Sequence, residues 1–391
     1  ILIRYGEIFL KSERVRKKYE SILLKNIKRS LSKEKIDFEL KIERGRYFLE
    51  TEQIDESVEV LKKVFGIHSI SPCIHTKLNE LNSTIEQISK KLVQNETFKI
   101  EVHRVGKHDF TSQDLAKRLG AIVLENSKSS VNVKEPDKTI WVEVRDQDVY
   151  IFTDKILCYG GLPVGASGRS ISLLSGGIDS PVSSWMIMSR GAPLDFIHVY
   201  ALREESENEN NKIFEIIKVL GKYQNTIRFW FAPYYFFEMA SINVPKRYQL
   251  ILFRRFLSRL ATNIGEMVDA KGLVLGDSLA QVASQTLESM YCFDDATSLS
   301  VLRPLIGMSK EDIIKISKKI DTYELSLYEY KDCCSLVSQQ PTTRPKLEIV
   351  KAIENEINMQ NIVQMTINEI KEYIYADGKI IENTFEKKFQ V

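Results

Sequence analysis

What the chain lacks narrows it first. No run of about eighteen apolar residues occurs, so no helical membrane span is expected. The five cysteines, at 73, 158, 292, 333 and 334, are odd in number and form no C-x-x-C pair. That argues against a disulfide scaffold, gives little support to a zinc ribbon or a Cys-ligated cluster, and fits a reducing cytoplasm. The chain begins at Ile1 without a Met, so residues are expected to precede it, and its basic start carries no signal-peptide apolar core. The phosphate loop G-x-x-x-x-G-K-[ST] is also missing.

What remains is an ordinary globular composition on a long chain: 391 residues, 43% hydrophobic and 28% charged. Two or three domains are expected from that length. The net charge of +2 is unevenly spread: residues 1–46 hold 14 Lys and Arg against 7 Asp and Glu, leaving 41 against 46 beyond them. A basic front end suits a polyanion.

One stretch carries the strongest chemical signal. Leu173 and Leu174 close an apolar run that reads as a buried strand, Ser175-Gly176-Gly177 form a turn, and Asp179 or Ser180 is a good N-cap for a helix with Pro181 at its first position. Backbone N–H groups of such a turn and helix start converge on one spot, which suits a phosphate. The spacing S-G-G-x-D-S resembles the pyrophosphate loop of ATP pyrophosphatases, enzymes that adenylate a substrate and release pyrophosphate. The bland alternative is a plain strand-to-helix turn. In such a turn Asp179 only caps; in an ATP site it also holds Mg²⁺ between phosphates.

Periodicity organises the rest. Residues 12–35 read as an amphipathic helix whose apolar stripe is Val15, Tyr19, Ile22, Leu23, Ile27 and Leu31, with Arg14, Arg16, Lys17, Lys18, Lys25, Lys28 and Arg29 around it. A hairpin about Gly45 and a helix over 57–64 complete a first α+β unit, residues 1–66. A second α+β unit, 67–160, contains helices over 81–93 and 112–125, the latter capped by Ser112, and strands over 98–105, 138–144 and 148–153. Arg104, Lys107, Lys117 and Arg118 are placed to form a basic RNA-binding patch there, with His108 beside them, whereas His103 reads as packed or surface rather than as a ligand. Residues 160–169, with four glycines, read as a linker. From 161 to 391 strands alternate with helices, which predicts a doubly wound parallel sheet with crossover helices. A helix is expected to start near Ser278, and the C-terminal stretch reads as helical. In such sheets ligands bind at the carboxyl ends of the strands, which gathers the 175–180 loop, His198-Val199, the end of the third strand, and Gly276-Asp277-Ser278.

Several motifs in order resemble one family. They are Arg4-Tyr5-Gly6-Glu7-Ile8 with Leu10-Lys11, Gly161-Leu162-Pro163-Val164-Gly165 with Ser167-Gly168, the pyrophosphate loop with Pro181-Val182, Gly276–Glu288, and Arg303-Pro304-Leu305-Ile306-Gly307-Met308. Together they resemble the tRNA 4-thiouridine synthetases, the tRNA sulfurtransferases of thiolation and thiamine pathways. The resemblance implies a ferredoxin-like unit, a THUMP domain for RNA and a PP-loop pyrophosphatase domain. It implies that ATP adenylates O4 of uridine-8 in tRNA, and that persulfide sulfur then displaces AMP to give 4-thiouridine. It further implies Leu173, Leu174, Ser175, Gly176, Gly177, Asp179, Ser180, His198, Val199, Arg254, Gly276 and Gln285 as ATP contacts, with a one-residue slip from Arg254 to Arg255 left open.

In the family a cysteine opens the run C-x-x-x-S before a proline–threonine motif, which here selects Cys334 over Cys333 as the sulfur-handling nucleophile. Arg344 and Lys331 are near it in sequence; the other cysteines read as structural. No Cys follows Cys334, so the C-terminal rhodanese cysteine of some members has no counterpart, and sulfur is expected from an external donor such as a cysteine desulfurase. A homodimer is the suggested assembly, and no membrane partner is implied. Two other readings stay open: another PP-loop enzyme adenylating a carboxylate or amide, and an RNA-binding protein with an inactive ATP domain.

Overall fold

In the computed structural model the Ser175–Ser180 loop follows the third strand in the order of a seven-stranded sheet. The structure describes residues 1–43, 45–201, 211–328, 333, 337 and 340–383; Cys334 and Lys331 lie outside them. Contacts divide the chain into two units, Ile1–Phe9 with Glu34–Lys62 and Ile67–Gly160, and Leu10–Lys33 with Lys63–Gly66 and Gly161–Val391.

The first unit holds two five-stranded sheets. One is antiparallel, in the order Ile156–Leu157, Ile67–Ser71, Leu2–Tyr5, Arg46–Glu50, Glu39–Glu43; its last two strands are the expected hairpin, turning at Gly45 with φ +82°. The other runs Ile74–Lys77, Asp148–Phe152, Lys138–Arg145, Thr97–Val105, Ser130–Val131. Helices Leu81–Leu92 and Ser112–Asn126 bury Leu81, Ile85, Leu115, Leu119 and Val123 against it. Thr111, not Ser112, caps the second helix: its hydroxyl accepts from Asp114 N–H while the Asp114 carboxylate accepts from Thr111 N–H. The reciprocal bond with Asp114 selects the cap one residue earlier.

The sheet of the second unit has the order Ser300–Leu302, Gly272–Val274, Ser170–Leu173, Leu194–Tyr200, Thr226–Pro233, Lys371–Ala376, Lys379–Glu382. The first five strands are parallel and the last two antiparallel. Leu194–Tyr200 is buried along its whole length, as a strand covered on both faces must be. Its one acid, Asp195, is held by Arg169 at 2.6 Å and Arg228 at 2.9 Å. The chain leaves Ser170–Leu173 in one direction and returns on its other side at Gly272–Val274, so the sheet order reverses there, where doubly wound sheets bind ligands.

Three expectations are corrected in this unit. Helix Asp179–Met188 is preceded by Ile178 as N-cap with no side-chain bond; Asp179 and Ser180 lie inside the first turn, because the Ser180 hydroxyl is spent on Ser175. No helix starts at Ser278: the chain loops to Thr286, which caps Leu287–Asp294. The glycine-rich 161–169 stretch, read as the linker, opens the second unit's last segment and is bonded to a helix end, with Leu162 N–H on Ser189 O and Gly165 N–H on Gly191 O, both at 2.9 Å; Gly161 takes φ +73° where a Cβ would strike Ser189 O. After helices Leu347–Glu356 and Met359–Glu369 the chain ends its described part in a hairpin turning at Asp377-Gly378, both with positive φ, a sequence signal for a two-residue turn.

Helix Glu13–Lys33 buries Leu23, Ile27 and Leu31. In the second unit its Asn26 donates to Val164 O at 3.0 Å and its Lys33 to the Tyr375 hydroxyl at 2.7 Å. The long helix Lys246–Met267 buries thirteen residues, among them Arg255, which has no exposure. Arg255 bonds Glu354 at 2.6 and 3.0 Å, Asp295 at 3.1 Å and the Cys292 carbonyl, while Arg259 reaches Glu354 at 2.5 Å. Burial pushes the Glu354 carboxyl up, but Arg259 and Arg255 outweigh it and its pKa lies below the ordinary value. The pair's stabilisation is therefore complete above the unfolded carboxylate's pKa of about 4.3 and is lost as pH falls through the depressed folded value. Glu354→Gln leaves Arg255 buried beside a neutral amide and is expected to cost about 3–5 kcal/mol, measured by denaturant unfolding at pH 7, with the gap to wild type closing as the pH is lowered below about 4.

Candidate active site

The loop after Ser170–Leu173 is shaped by Ser180. Its hydroxyl accepts from Ser175 N–H at 2.9 Å and donates to Ser175 O at 3.1 Å, so the loop folds back onto the first turn of its own helix. Gly177 N–H reaches Ser175 Oγ at 3.3 Å. Neither Gly176 nor Gly177 has a positive φ, and a Cβ on Gly177 would meet only Ser175 Oγ, at 3.5 Å. The turn itself does not demand glycine at 177; an open backbone awaiting close approach does. Gly276 differs. A Cβ there would lie 2.9 Å from Ser180 N, so the end of Gly272–Val274 abuts the helix N-terminus.

A cavity of about 250 Å³ opens at this point. Leu173, Leu174, Ser175, Asp179, Ser180, His198, Val199, Arg254, Gly276 and Gln285, all expected site residues, line it. Gly176 and Gly177 lie in the loop between lining residues but do not line it, nor does the end of Thr226–Pro233. His198 is buried with Nδ1 2.8 Å from Leu174 O; a carbonyl only accepts, so Nδ1 carries a proton. Arg254 donates to Ser284 O at 2.5 Å and to Asp277 at 2.7 Å. Arg254 lines the cavity, whereas Arg255 belongs to the Glu354 network. The Gln285 Oε1 is buried without a hydrogen-bond partner among the described residues, an acceptor placed for a donor on a ligand.

Asp179 receives a donor on each oxygen, Lys310 Nζ at 2.6 Å and Gln281 Nε2 at 2.9 Å. Sequence reasoning assigned no role to either donor. Both come from the later motifs: Ser278 Oγ donates to Met308 O and Leu279 N–H to Ile306 O, each at 3.1 Å, which brings the 276–288 and 303–308 stretches together above the loop. Gln281 was quoted within one motif and Lys310 lies just past the other. Their side-chain roles emerge only when the two loops meet. Among the described residues no three His, Cys, Asp or Glu side chains gather as a metal cluster, and no helix is long and apolar enough to cross a membrane.

Comparison with known proteins decides the family. Three family descriptions match: ThiI ferredoxin-like domain over residues 1–71, THUMP domain over 75–154 and Thiamine biosynthesis protein (ThiI) over 165–359. The probable tRNA sulfurtransferase of Caldanaerobacter subterraneus subsp. tengcongensis is 38% identical, covering 95% of this chain and 99% of that protein. That of Oceanobacillus iheyensis is 36% identical, covering 99% and 98%. The chain belongs to the tRNA sulfurtransferase family. A solved 4-thiouridine synthetase, in complex with RNA and with bound ATP, is 31% identical with a TM-score of 0.86, covering 96% of this chain and 98% of that one. The expected fold class, a ferredoxin-like unit, a THUMP domain and a PP-loop domain, is thereby established.

For a tRNA sulfurtransferase the cysteines matter next. Cys333 is buried, lines the cavity, and has Sγ 3.3 Å from Val199 O; its covalent neighbour Cys334 lies outside the described residues. Burial pushes the Cys158 thiol up to about 12 and raises those of Cys73 and Cys292, which keeps all three protonated and poor nucleophiles. Arg344 is exposed and 3.9 Å from Glu288. In the THUMP domain the guanidinium groups of Arg104 and Arg118 lie 5.4 and 5.9 Å from the Phe110 ring, Arg104 also donates to Ser112 Oγ, and Lys107 and Lys117 are exposed. This is a basic patch around an aromatic ring. His103 is exposed and stacks beside Trp141 at 5.9 Å.

The two glycines are expected to separate on substitution. Gly276→Ala must displace the helix start and is expected to cost about 1–3 kcal/mol, whereas Gly177→Ala is expected to stay within about 0.5 kcal/mol of wild type. Denaturant unfolding of both variants checks this; equal losses would contradict the packing described.

Proposed function

We propose that the protein is an ATP-dependent tRNA sulfurtransferase that adenylates O4 of uridine-8 and replaces it with sulfur, giving 4-thiouridine. The observation that carries this reading is one cavity lined by the Ser175–Ser180 loop, Arg254, Gly276, Gln285 and Cys333. A uracil C4 oxygen is a poor leaving group. Attack of O4 on the α-phosphorus of ATP breaks the bond to pyrophosphate and turns that oxygen into part of AMP, a good leaving group.

Each residue then has a task. The helix N-terminus receives phosphate oxygens, Arg254 adds a charge-assisted donor, and Gln285 Oε1 accepts from the nucleotide. Leu173, Leu174, His198 and Val199 form the remaining wall. Lys310 and Gln281 hold Asp179 in place. Asp179 is the residue that would hold Mg²⁺, as a single carboxylate at the loop. When bound, Mg²⁺ neutralises charge on the departing pyrophosphate.

Sulfur arrives on Cys334 as a persulfide from an external donor, a cysteine desulfurase being the fitting class. Its terminal sulfur attacks C4 and AMP leaves with the original oxygen; one thiol of a dithiol reductant then attacks Cys334 Sγ and releases the thiolated tRNA, and its second thiol frees Cys334, leaving the reductant as the disulfide. Arg104, Lys107, Lys117 and Arg118 contact tRNA phosphates, so binding weakens with salt. Work in a reducing cytoplasm, a homodimeric assembly and a share in thiamine sulfur transfer belong to the same reading.

Two substitutions separate the half-reactions. Asp179→Asn is expected to reduce tRNA-dependent pyrophosphate release at least a hundredfold while leaving tRNA affinity within about twofold, measured by filter binding. Cys334→Ala is expected to keep pyrophosphate release and lose 4-thiouridine, measured by mass spectrometry of tRNA treated with ATP and a desulfurase. Undiminished thiolation by the Cys334 variant would overturn its role. Pyrophosphate release by wild type that ignores tRNA would favour an enzyme adenylating a carboxylate or amide instead.

A further inference from the structure

Arg303 does not line the cavity, yet it is tied to a residue that does. Its Nε donates to Asp277 Oδ2 at 3.1 Å, the same oxygen that Arg254 Nη2 reaches at 2.7 Å. Its other end forks onto Asp294, at 2.6 and 3.1 Å. Both guanidinium groups lie over the Phe293 ring, Arg254 at 5.2 Å and Arg303 at 5.8 Å. Asp277 is only 7% exposed and directly follows Gly276, whose backbone abuts Ser180. The chain of contacts from Asp294 through Arg303 and Asp277 to Arg254 therefore ends on the loop side of the cavity.

The charges explain what Arg303 adds. A lone Arg254–Asp277 pair would neutralise itself, and the carboxylate would draw both arms of the guanidinium into a two-bond fork. With Arg303 sharing Asp277 Oδ2, the cluster holds two cations and two anions, Asp294 included, and Arg254 meets only the one shared oxygen of Asp277. Arg254 commits one N–H to Asp277 and one to Ser284 O, which leaves its remaining donors for an anion in the cavity. Asp294, half exposed, anchors the outer end.

We propose that Arg303 is a positioning residue that, through Asp277, holds Arg254 as the receptor for the ATP phosphate chain. The inference rests on the reading of the cavity as the ATP site. It assigns to the Arg303-Pro304-Leu305 stretch a role in substrate affinity, separate from the loop contacts made by the residues that follow it.

The test compares ATP with adenosine, which lacks the phosphates, in equilibrium binding to the full chain and its Arg303→Gln and Arg303→Lys variants. Arg303→Gln is expected to weaken ATP binding about tenfold, to raise the ATP KM of tRNA-dependent pyrophosphate release by a similar factor with kcat within about threefold, and to leave adenosine affinity within about twofold. Arg303→Lys keeps the charge on Asp277 and is expected to restore ATP affinity to within about threefold of wild type. Unchanged ATP affinity in Arg303→Gln would overturn the inference. So would a parallel loss of ATP and adenosine binding in both variants, which is the signature of a merely structural role. Wild-type protein that binds neither ligand would overturn the reading of the cavity itself, and the inference with it.

Discussion

The candidate site depends on one close approach. The backbone at Gly276 lies against Asp179 and Ser180, with no room for a side chain between them. That contact joins the ends of two parallel strands on either side of the point where the sheet reverses its order. It fixes where the helix N-terminus points, and with it the N–H groups of the first turn. Ser180 then ties the loop back to Ser175, and a side chain at Gly177 would meet only Ser175 Oγ. A strand-to-helix turn becomes an anion receptor because a second strand end presses on it from the side.

Charge follows a common pattern around this frame. Four carboxylates are buried among the described residues, Glu143, Asp195, Asp277 and Glu354, and each has two arginines within ion-pair distance: Arg46 and Arg145, Arg169 and Arg228, Arg254 and Arg303, Arg255 and Arg259. A buried acid costs several kcal/mol to desolvate and is kept only with such partners. Within the second unit, Asp195 and Glu354 fasten elements together. Asp277 faces the cavity, and there the N–H donors that Arg254 does not spend on Asp277 and Ser284 are available to a ligand. The same device serves cohesion in one place and recognition in another.

Much of this was legible from the chain alone. The strand–loop–helix at 170–188 was readable because glycine, a capping-type residue and helical spacing agree within a dozen positions, and the parallel sheet because buried strands alternate with amphipathic helices. His198 and Val199 came from the strand-end rule as well as from resemblance, Arg254 from resemblance alone, and the cavity lining contains all three. Lys310 and Gln281 were not assigned to the site, because an exposed lysine near a helix start and one glutamine in a polar loop carry no local mark; only the pairing of Leu279 with Ile306 aims both at Asp179. Arg303 was quoted in a motif but not understood, since its partner Asp277 is twenty-six residues away. The cap at Thr111 was missed in favour of its neighbour, where two hydroxyl residues stand side by side and the reciprocal bond with Asp114 chooses. The terminal hairpin was missed because the Lys- and Glu-rich composition spoke louder than its Asp377-Gly378 turn.

The central claim is that the cavity activates a uracil oxygen by adenylation before sulfur arrives. Labelling O4 of uridine-8 with ¹⁸O in the tRNA substrate, and following the label by mass spectrometry during thiolation, tests it most directly. The account predicts that one ¹⁸O appears in AMP for each 4-thiouridine formed. Label appearing instead in water, or in inorganic phosphate alongside ADP, would contradict it.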